Sequence, residues 1–387
     1  MKCIYNGKIL KDGQELVGKA LLFNDKIVDI IDEVNIPAEG VELIDAKGNY
    51  VSPGFVDIHI HGYHKVDVMD GTKEAVKTMA KGICANGVTS FLATTMTMSR
   101  EHITHALDAI KEAKRETEKE AINGAEILGA HMEGPYISEK FKGAQNPQYI
   151  VSPTEEDAEF VKSYGDLVKL ITIAPEIEGA LPFIKQLHEE KNITFSMGHT
   201  AASFEEAMEG IKCGVSHTTH LFNGMNPLHH REPGALGAAL ASDVSAEAIC
   251  DTIHIHKGLF PFLVKVKGTD KFVLVTDCMC AGGCEEGEYS LGGQKVIVKD
   301  GSARLEAGSL AGSVLTLNGA LRNVLENTNY PVAEAIKFAT INPATVIHVE
   351  DTKGTLDIGK DADIIIFDGG VQIKQTINKG RIIYENN

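Results

Sequence analysis

The chain has 387 residues, 43% of them hydrophobic and 24% charged, with a formal charge of −17, which are the properties of a soluble globular enzyme with room for one large domain plus a small one. No apolar run approaches the roughly 20 residues of a membrane span, the opening Met1–Gly7 lacks a signal-peptide core, and no basic run stands out, which argues against nucleic acid as the main partner. The seven cysteines form no convincing disulfide framework, so the expected setting is reducing and cytoplasmic.

Residues 1 to 52 read as short strands joined by tight turns, for example Ala20–Phe23, a turn at Asn24-Asp25, then Lys26–Ile30. They are too few for a core of their own. The stretch from 354 to 387 has the same texture, in Asp363–Phe367 and Arg381–Tyr384. The two ends are therefore expected to pair into one small β-sandwich domain flanking residues 53–353. Within that middle part, Phe55–Ile60 alternates apolar and polar residues, with Pro53-Gly54 before it and Gly62 after it. His59 and His61 stand two apart, so on a strand both rings point to one side. Two imidazoles converging at a strand end suit a divalent metal, although two surface histidines on an edge strand would give the same pattern.

Strand-like and helix-like segments then alternate. Candidate strands are 55–61, 89–95, 126–133, 168–174, 193–199, 215–221, 248–255 and 271–277. Candidate helices include Thr72–Asn86, Arg100–Glu120, Glu178–Glu190 and Ser203–Lys212, the last opened by a Ser203/Glu206 capping box. Eight such units fit an α/β fold of the (β/α)₈, TIM-like barrel kind. An open doubly wound sheet is the alternative, but no Gly-rich phosphate fingerprint follows the first strand. Catalytic groups of such barrels sit at the C-terminal strand ends. Polar residues gather there repeatedly: His59 and His61, His131 and Glu133, His199, His217 and His220, and Asp277.

At this point the chain resembles the N-acetylglucosamine-6-phosphate deacetylase family of the metal-dependent amidohydrolase superfamily, nearly end to end. The marks are Pro53–Asp57, His131–Tyr136, Lys142-Gly143-Ala144, Gly198-His199-Thr200, Thr219–Met225, Arg231–Gly234, Val275-Thr276-Asp277 and Leu310–Ser313. The resemblance implies hydrolysis of the acetamide of an N-acetyl amino sugar phosphate. It implies Glu133, His199 and His220 as the common metal ligands, and His59 with His61 as ligands of a second ion in members that carry H-x-H. One or two divalent ions per subunit follow, zinc first, with iron or manganese also suited to imidazole and carboxylate. Asp277 matches the general base and acid. Ala144, Asn223, Gly224, Arg231, His254 and the Leu310-Ala311-Gly312 loop match substrate contacts, Arg231 as the phosphate arginine. A homodimer with sites near its interface is implied as well.

Two departures stand out. Gln145 replaces the family histidine that polarises the acetyl carbonyl; it can donate a neutral hydrogen bond but cannot become cationic. Thr252 stands where glycine is usual, beside His254. A related N-acyl amino sugar phosphate, such as the galactosamine epimer, is an alternative substrate, and Gln145 makes a weakly catalytic sugar-phosphate-binding paralogue an alternative class. Cys278, Cys280 and Cys284 read as small loop residues, since C-x-C-x₃-C is not a usual zinc spacing.

Overall fold

The computed structural model describes residues 1–119, 122–191 and 193–386. Its centre is an eight-stranded parallel sheet whose spatial order is its chain order: β1 Phe55–Ile60, β2 Val88–Thr95, β3 Glu126–Glu133, β4 Val168–Ile173, β5 Thr194–Met197, β6 Val215–Thr218, β7 Ser245–Ala248 and β8 Phe272–Leu274. A helix follows each strand: α1 Lys73–Ile83, α2 Arg100–Lys119, α3 Glu155–Ser163, α4 Ala180–Lys191, α5 Phe204–Cys213, α6 Gly234–Ala241, α7 Phe260–Lys267 and α8 Leu317–Asn327. The expected helix from Arg100 is observed to Lys119; its last residue, Glu120, lies outside the described residues, as does Asn387. Helix α2 buries Ile103, Ala106, Leu107, Ile110 and Ala113 along one face, the i, i+3, i+4 stripe that fixes such a helix on a sheet. The Ser203/Glu206 capping box is formed at α5.

The sheet curls until the segment after β8 meets β1. Ile60 pairs in parallel with Cys278, the Asp277 N–H donates to the His59 carbonyl at 2.8 Å, and the His61 N–H donates to the Cys278 carbonyl at 2.9 Å. Gly62 permits this approach: a Cβ there would lie 2.5 Å from the Val66 carbonyl oxygen and 2.7 Å from the Cys280 nitrogen. The first and last strand ends, with their polar residues, are thereby brought together.

Both chain ends do pair. Tyr50–Pro53 runs antiparallel to Ile364–Phe367, inside a six-stranded sheet that also holds Lys8–Lys11, Gln14–Leu16, Ile373–Asn378 and Arg381–Glu385. A four-stranded sheet of Ile27–Asp32, Lys19–Phe23, Lys2–Tyr5 and Glu42–Asp45 lies beside it. Ile4, Leu21 and Phe23 from one sheet and Ile9, Val51, Ile364 and Ile366 from the other share one apolar cluster. The buried Lys353 ammonium, 2.7 Å from both Asp361 and Asp363, also pairs with Glu126 at the start of β3, tying these sheets to the central one.

Three strands differ from expectation for one reason. The segments expected at 193–199, 215–221 and 271–277 stop at Met197, Thr218 and Leu274, because His199, His220 and Asp277 have φ of 46°, 29° and 48°. That left-handed backbone breaks the ladder and re-aims the side chain. The strand expected at 248–255 is a correction: it is Ser245–Ala248. Beyond it, the Asp251 carboxylate accepts from the Ile253 and His254 N–H groups and makes a turn. An antiparallel three-stranded sheet, Gly287–Leu291, Gln294–Lys299 and Ser302–Leu305, was not expected; it sits between β8 and α8 and packs on Met96, Ala144, Met279 and Ala311. No helix among the described residues is long and apolar enough to cross a membrane.

Candidate active site

At the C-terminal strand ends, four imidazole Nε2 atoms and two carboxylates converge. His199 and His220 lie 3.1 Å apart, and 3.2 and 3.1 Å from Glu133 Oε1. His59 and His61 lie 3.3 Å apart; His59 is 3.4 Å from Glu133 Oε1 and His61 is 3.3 Å from Oε2. Asp277 Oδ1 stands 3.2 Å from His61 and 3.5 Å from His59. Ligands about 2.1 Å from a tetrahedral ion are separated by roughly 3.4 Å, so each set has the spacing of donors around one cation. Glu133 belongs to both sets, and each leaves room for further ligands.

The far ring nitrogens of three of the four imidazoles are held so that Nε2 faces inward; the buried His220 Nδ1 has no hydrogen-bond partner among the described residues. His199 Nδ1 lies 2.8 Å from the Phe141 carbonyl, His61 Nδ1 lies 3.2 Å from the Thr94 carbonyl, and His59 Nδ1 lies 2.9 Å from Glu247. An N–H on that side fixes the tautomer and frees Nε2 to bind a cation. Gly143, at φ 57°, lets the chain pass the His199 ring, where a Cβ would stand 3.3 Å from Cε1.

The electrostatics call for positive charge. Burial opposes ionisation of His59, His61, His199, Glu133 and Asp277. For His59 the Glu247, Asp277 and Glu133 carboxylates outweigh it and hold the imidazole well above its usual pKa. Burial likewise lowers His61, but Asp277 and Glu133 push it up to about 9. Burial would raise Glu133, yet His59, His199 and His220 hold it well below the usual carboxylate range. No lysine or arginine among the described residues pairs with Glu133, Glu247 or Asp277. Imidazole protons therefore balance these carboxylates, a task that divalent cations at the Nε2 atoms fit. A third group of carboxylates, Glu126, Asp361 and Asp363, already has the Lys353 ammonium among them.

A cavity of about 210 Å³ opens onto this cluster. His61, Glu133, His199, His220, Asp277, Ala144, Gln145, Asn223, Gly224, His254, Leu310 and Gly312 line it, with Met96, Gly143 and Leu291 added. His254 Nδ1 is held 2.6 Å from Asp251. Three expectations change. Arg231 is not at the cavity; it is exposed, hydrogen-bonds His230 at 2.8 Å and lines a separate groove with Lys140 and His229. Ala311 is fully buried and does not line the cavity, unlike Leu310 and Gly312. Gln145 lines the cavity, but its amide is already engaged: Oε1 accepts from the Thr97 N–H at 2.8 Å, and Nε2 donates to Glu133 Oε2 at 2.6 Å. His131 and His217 lie deeper, bonded to Thr172 and to Ser245 with Glu247. All seven cysteines are free thiols.

Residues that sequence reasoning missed are Glu247, Thr97 and the inserted sheet carrying Leu291. The sheet had a signal, a Gly292-Gly293 hairpin turn between alternating segments. Glu247 is an acidic residue inside a short apolar strand, legible as inward-facing only once the strand is located.

The sequence pattern of the Amidohydrolase family matches residues 50–383. A protein of Lysinibacillus sphaericus named N-acetylglucosamine-6-phosphate deacetylase is 40% identical over 361 residues, 91% of this chain and 90% of that protein. An N-acetylgalactosamine-6-phosphate deacetylase of Escherichia coli O157:H7 is 34% identical over 345 residues, 88% of this chain and 90% of the other. The crystal structure of N-acetylglucosamine-6-phosphate deacetylase from Pasteurella multocida matches with a TM-score of 0.94 at 30% identity, over 100% of both chains.

Proposed function

The chain belongs to the amidohydrolase family, and on that premise we propose that it hydrolyses the acetamide of N-acetylglucosamine 6-phosphate to glucosamine 6-phosphate and acetate. The observation that carries this reading is the pair of ligand sets sharing Glu133, with the Asp277 carboxylate beside them in one cavity. Glu133, His199 and His220 would hold one divalent cation, zinc first with iron or manganese as alternatives, and His59, His61 and Glu133 a second. A cation bound there supplies a Lewis acid and a water of lowered pKa.

The protein's own groups do the rest. Asp277 takes the proton of the attacking water as the C–O bond forms, then delivers it to the nitrogen as the C–N bond breaks; without that proton the amine is a poor leaving group. Its left-handed backbone turns the carboxylate toward the His59–His61 pair. Leu291, Leu310 and Gly312 exclude water around the sugar. Asn223, Gly224 and His254 form the phosphate end. The exposed Arg231 reaches a phosphate only when a second copy brings it there or its loop refolds, which fits a homodimeric assembly.

The curled sheet reads as a complete (β/α)₈ barrel over 53–353, and the paired ends, 1–52 and 354–387, as one small β-sandwich; the closing bridges and the shared apolar cluster support this. Free thiols throughout support a reducing, cytoplasmic setting. N-acetylgalactosamine 6-phosphate as substrate is the second reading, supported by the Escherichia coli relative. The test is turnover across a panel of N-acetyl amino sugar phosphates, with metal content measured on the same sample. Highest kcat/KM on the glucosamine compound is expected. Preference for the galactosamine compound would select the second reading, and no turnover by the metal-loaded chain would reject both.

A further inference from the structure

Glu247 sits on β7 with no exposed surface and accepts every hydrogen bond around it. Its Oε2 lies 2.9 Å from His59 Nδ1 and 3.1 Å from the backbone N–H of His220. Its Oε1 lies 3.2 Å from His217 Nε2, whose Nδ1 is in turn 2.7 Å from Ser245 Oγ. A single oxygen thus grips one residue from each ligand set. The two grips differ in kind. His61 and His199 lean on neutral carbonyls, whereas His59 faces a carboxylate. An ionised carboxylate only accepts, so the His59 proton is held on Nδ1 and the Nε2 lone pair is left for a cation, with added basicity. The bond to the His220 N–H steadies a residue at φ 29°, the turn that points its ring at Glu133.

A purely structural role explains this poorly. A buried carboxylate without a lysine or arginine partner is costly, and two of the three groups this one holds belong to residues of the ligand sets. Resting on the metal-dependent reading above, we propose that Glu247 is the positioning carboxylate that, through His59, makes His59–His61 a resident second cation position.

The experiment strips the full-length chain with a chelator, reloads it with Zn²⁺, and counts ions per chain by mass spectrometry and affinities by calorimetric titration. Wild type is expected to take two ions. Glu247→Gln keeps the shape and removes the charge; its weaker-binding position should lose about 10–100-fold in affinity, with the other changed far less. In a His59→Ala background the same substitution should add nothing, because its effect runs through His59. Thermal unfolding of the stripped proteins checks that the variants fold. Should Glu247→Gln fail to fold, Glu247→Asp, which keeps the charge and withdraws it by one methylene, must show the same selective loss. Unchanged affinities in a folded variant, equal losses in both backgrounds, or a wild type that takes only one ion would overturn the proposal. A wild type that takes no divalent ion would overturn the metal reading and this proposal with it.

Discussion

Gln145 separates two accounts of the site. If its amide serves the reacting carbonyl, removing it affects turnover; if it serves Glu133, removing it affects the ligand set. The geometry favours the second, since the 2.6 Å bond to Glu133 Oε2 and the 2.8 Å bond from the Thr97 N–H engage both ends of the amide. Gln145→Leu keeps the bulk and removes both bonds. A hydrogen bond to a charged group is worth about 1.5–3 kcal/mol, and leaving the buried Thr97 N–H without a partner costs about 1–3 kcal/mol. The first should appear as a tenfold to hundredfold loss of cation affinity, because the freed carboxylate must be oriented on binding. The second should appear as lower stability of the metal-free chain. The assays are calorimetric Zn²⁺ titration, denaturant unfolding of the stripped protein, and kcat with both cation positions saturated. Saturation should restore most of the turnover. Unchanged affinity and stability with kcat down by about 10²–10³, the cost of a lost oxyanion donor, would refute the reasoning and return Gln145 to the carbonyl.

Three further outcomes are expected. Asp277→Asn should bind substrate with little change and lose nearly all turnover, because an amide cannot take up the water proton; near-normal kcat across pH in steady-state assays would exclude the role. Where a second copy or a refolded loop brings Arg231 to the phosphate, Arg231→Ala should weaken the phosphorylated substrate tenfold to a hundredfold, from about 1.5–3 kcal/mol for a charged hydrogen bond, and leave the unphosphorylated sugar unchanged; equal losses in KM, or none, would remove it from the phosphate site. Lys353→Met should destabilise the chain by about 3–5 kcal/mol near pH 7, the cost of stranding buried partners. Burial opposes the Lys353 charge, but Asp363, Glu126 and Asp361 outweigh it and raise its pKa, so its contribution is complete below the unfolded value of about 10.4 and fades as pH rises through the folded one. Burial also opposes the Asp361 charge, and Lys353 and Lys26 hold that pKa down. Its contribution is therefore present above about pH 3.9 and lost as pH falls through the lowered value. The deficit of Lys353→Met in urea melts should accordingly shrink toward acid pH, where the stranded carboxylates protonate; a deficit independent of pH would contradict the ion cluster.

The sequence showed the ligand types more readily than their depth. His131 and Glu133 stand two apart on β3 and share a side of the strand, yet Glu133 reaches the cavity while His131 is fully buried against Thr172. In a curled sheet, inward-facing residues stack in layers, and the layer depends on the register between neighbouring strands, such as Glu133 beside Thr172, which no local pattern encodes. The strand ends were overrun for a related reason. His199, His220 and Asp277 leave the β region at the residue whose side chain enters the cluster, and an extended hydrophobic pattern gives no notice of it.

Clusters of carboxylates pose the same problem across the chain. Glu126 with Asp361 and Asp363, and Glu133 with Asp277 and Glu247, offer similar donors, all buried except the partly exposed Glu126. What separates them comes from distant segments. Lys353 inserts an ammonium into the first group, where it supplies the balancing charge and leaves no demand for a metal. Among the described residues, the only side chains able to bring the second group a positive charge are imidazoles, from strands far apart in the chain, and these turn their Nε2 atoms inward. Imidazoles can either carry protons or release them to a cation. A lysine ammonium beside three carboxylates keeps its proton at neutral pH. The chemical difference between a structural ion cluster and a metal centre therefore lies in which cation the fold brings to the carboxylates.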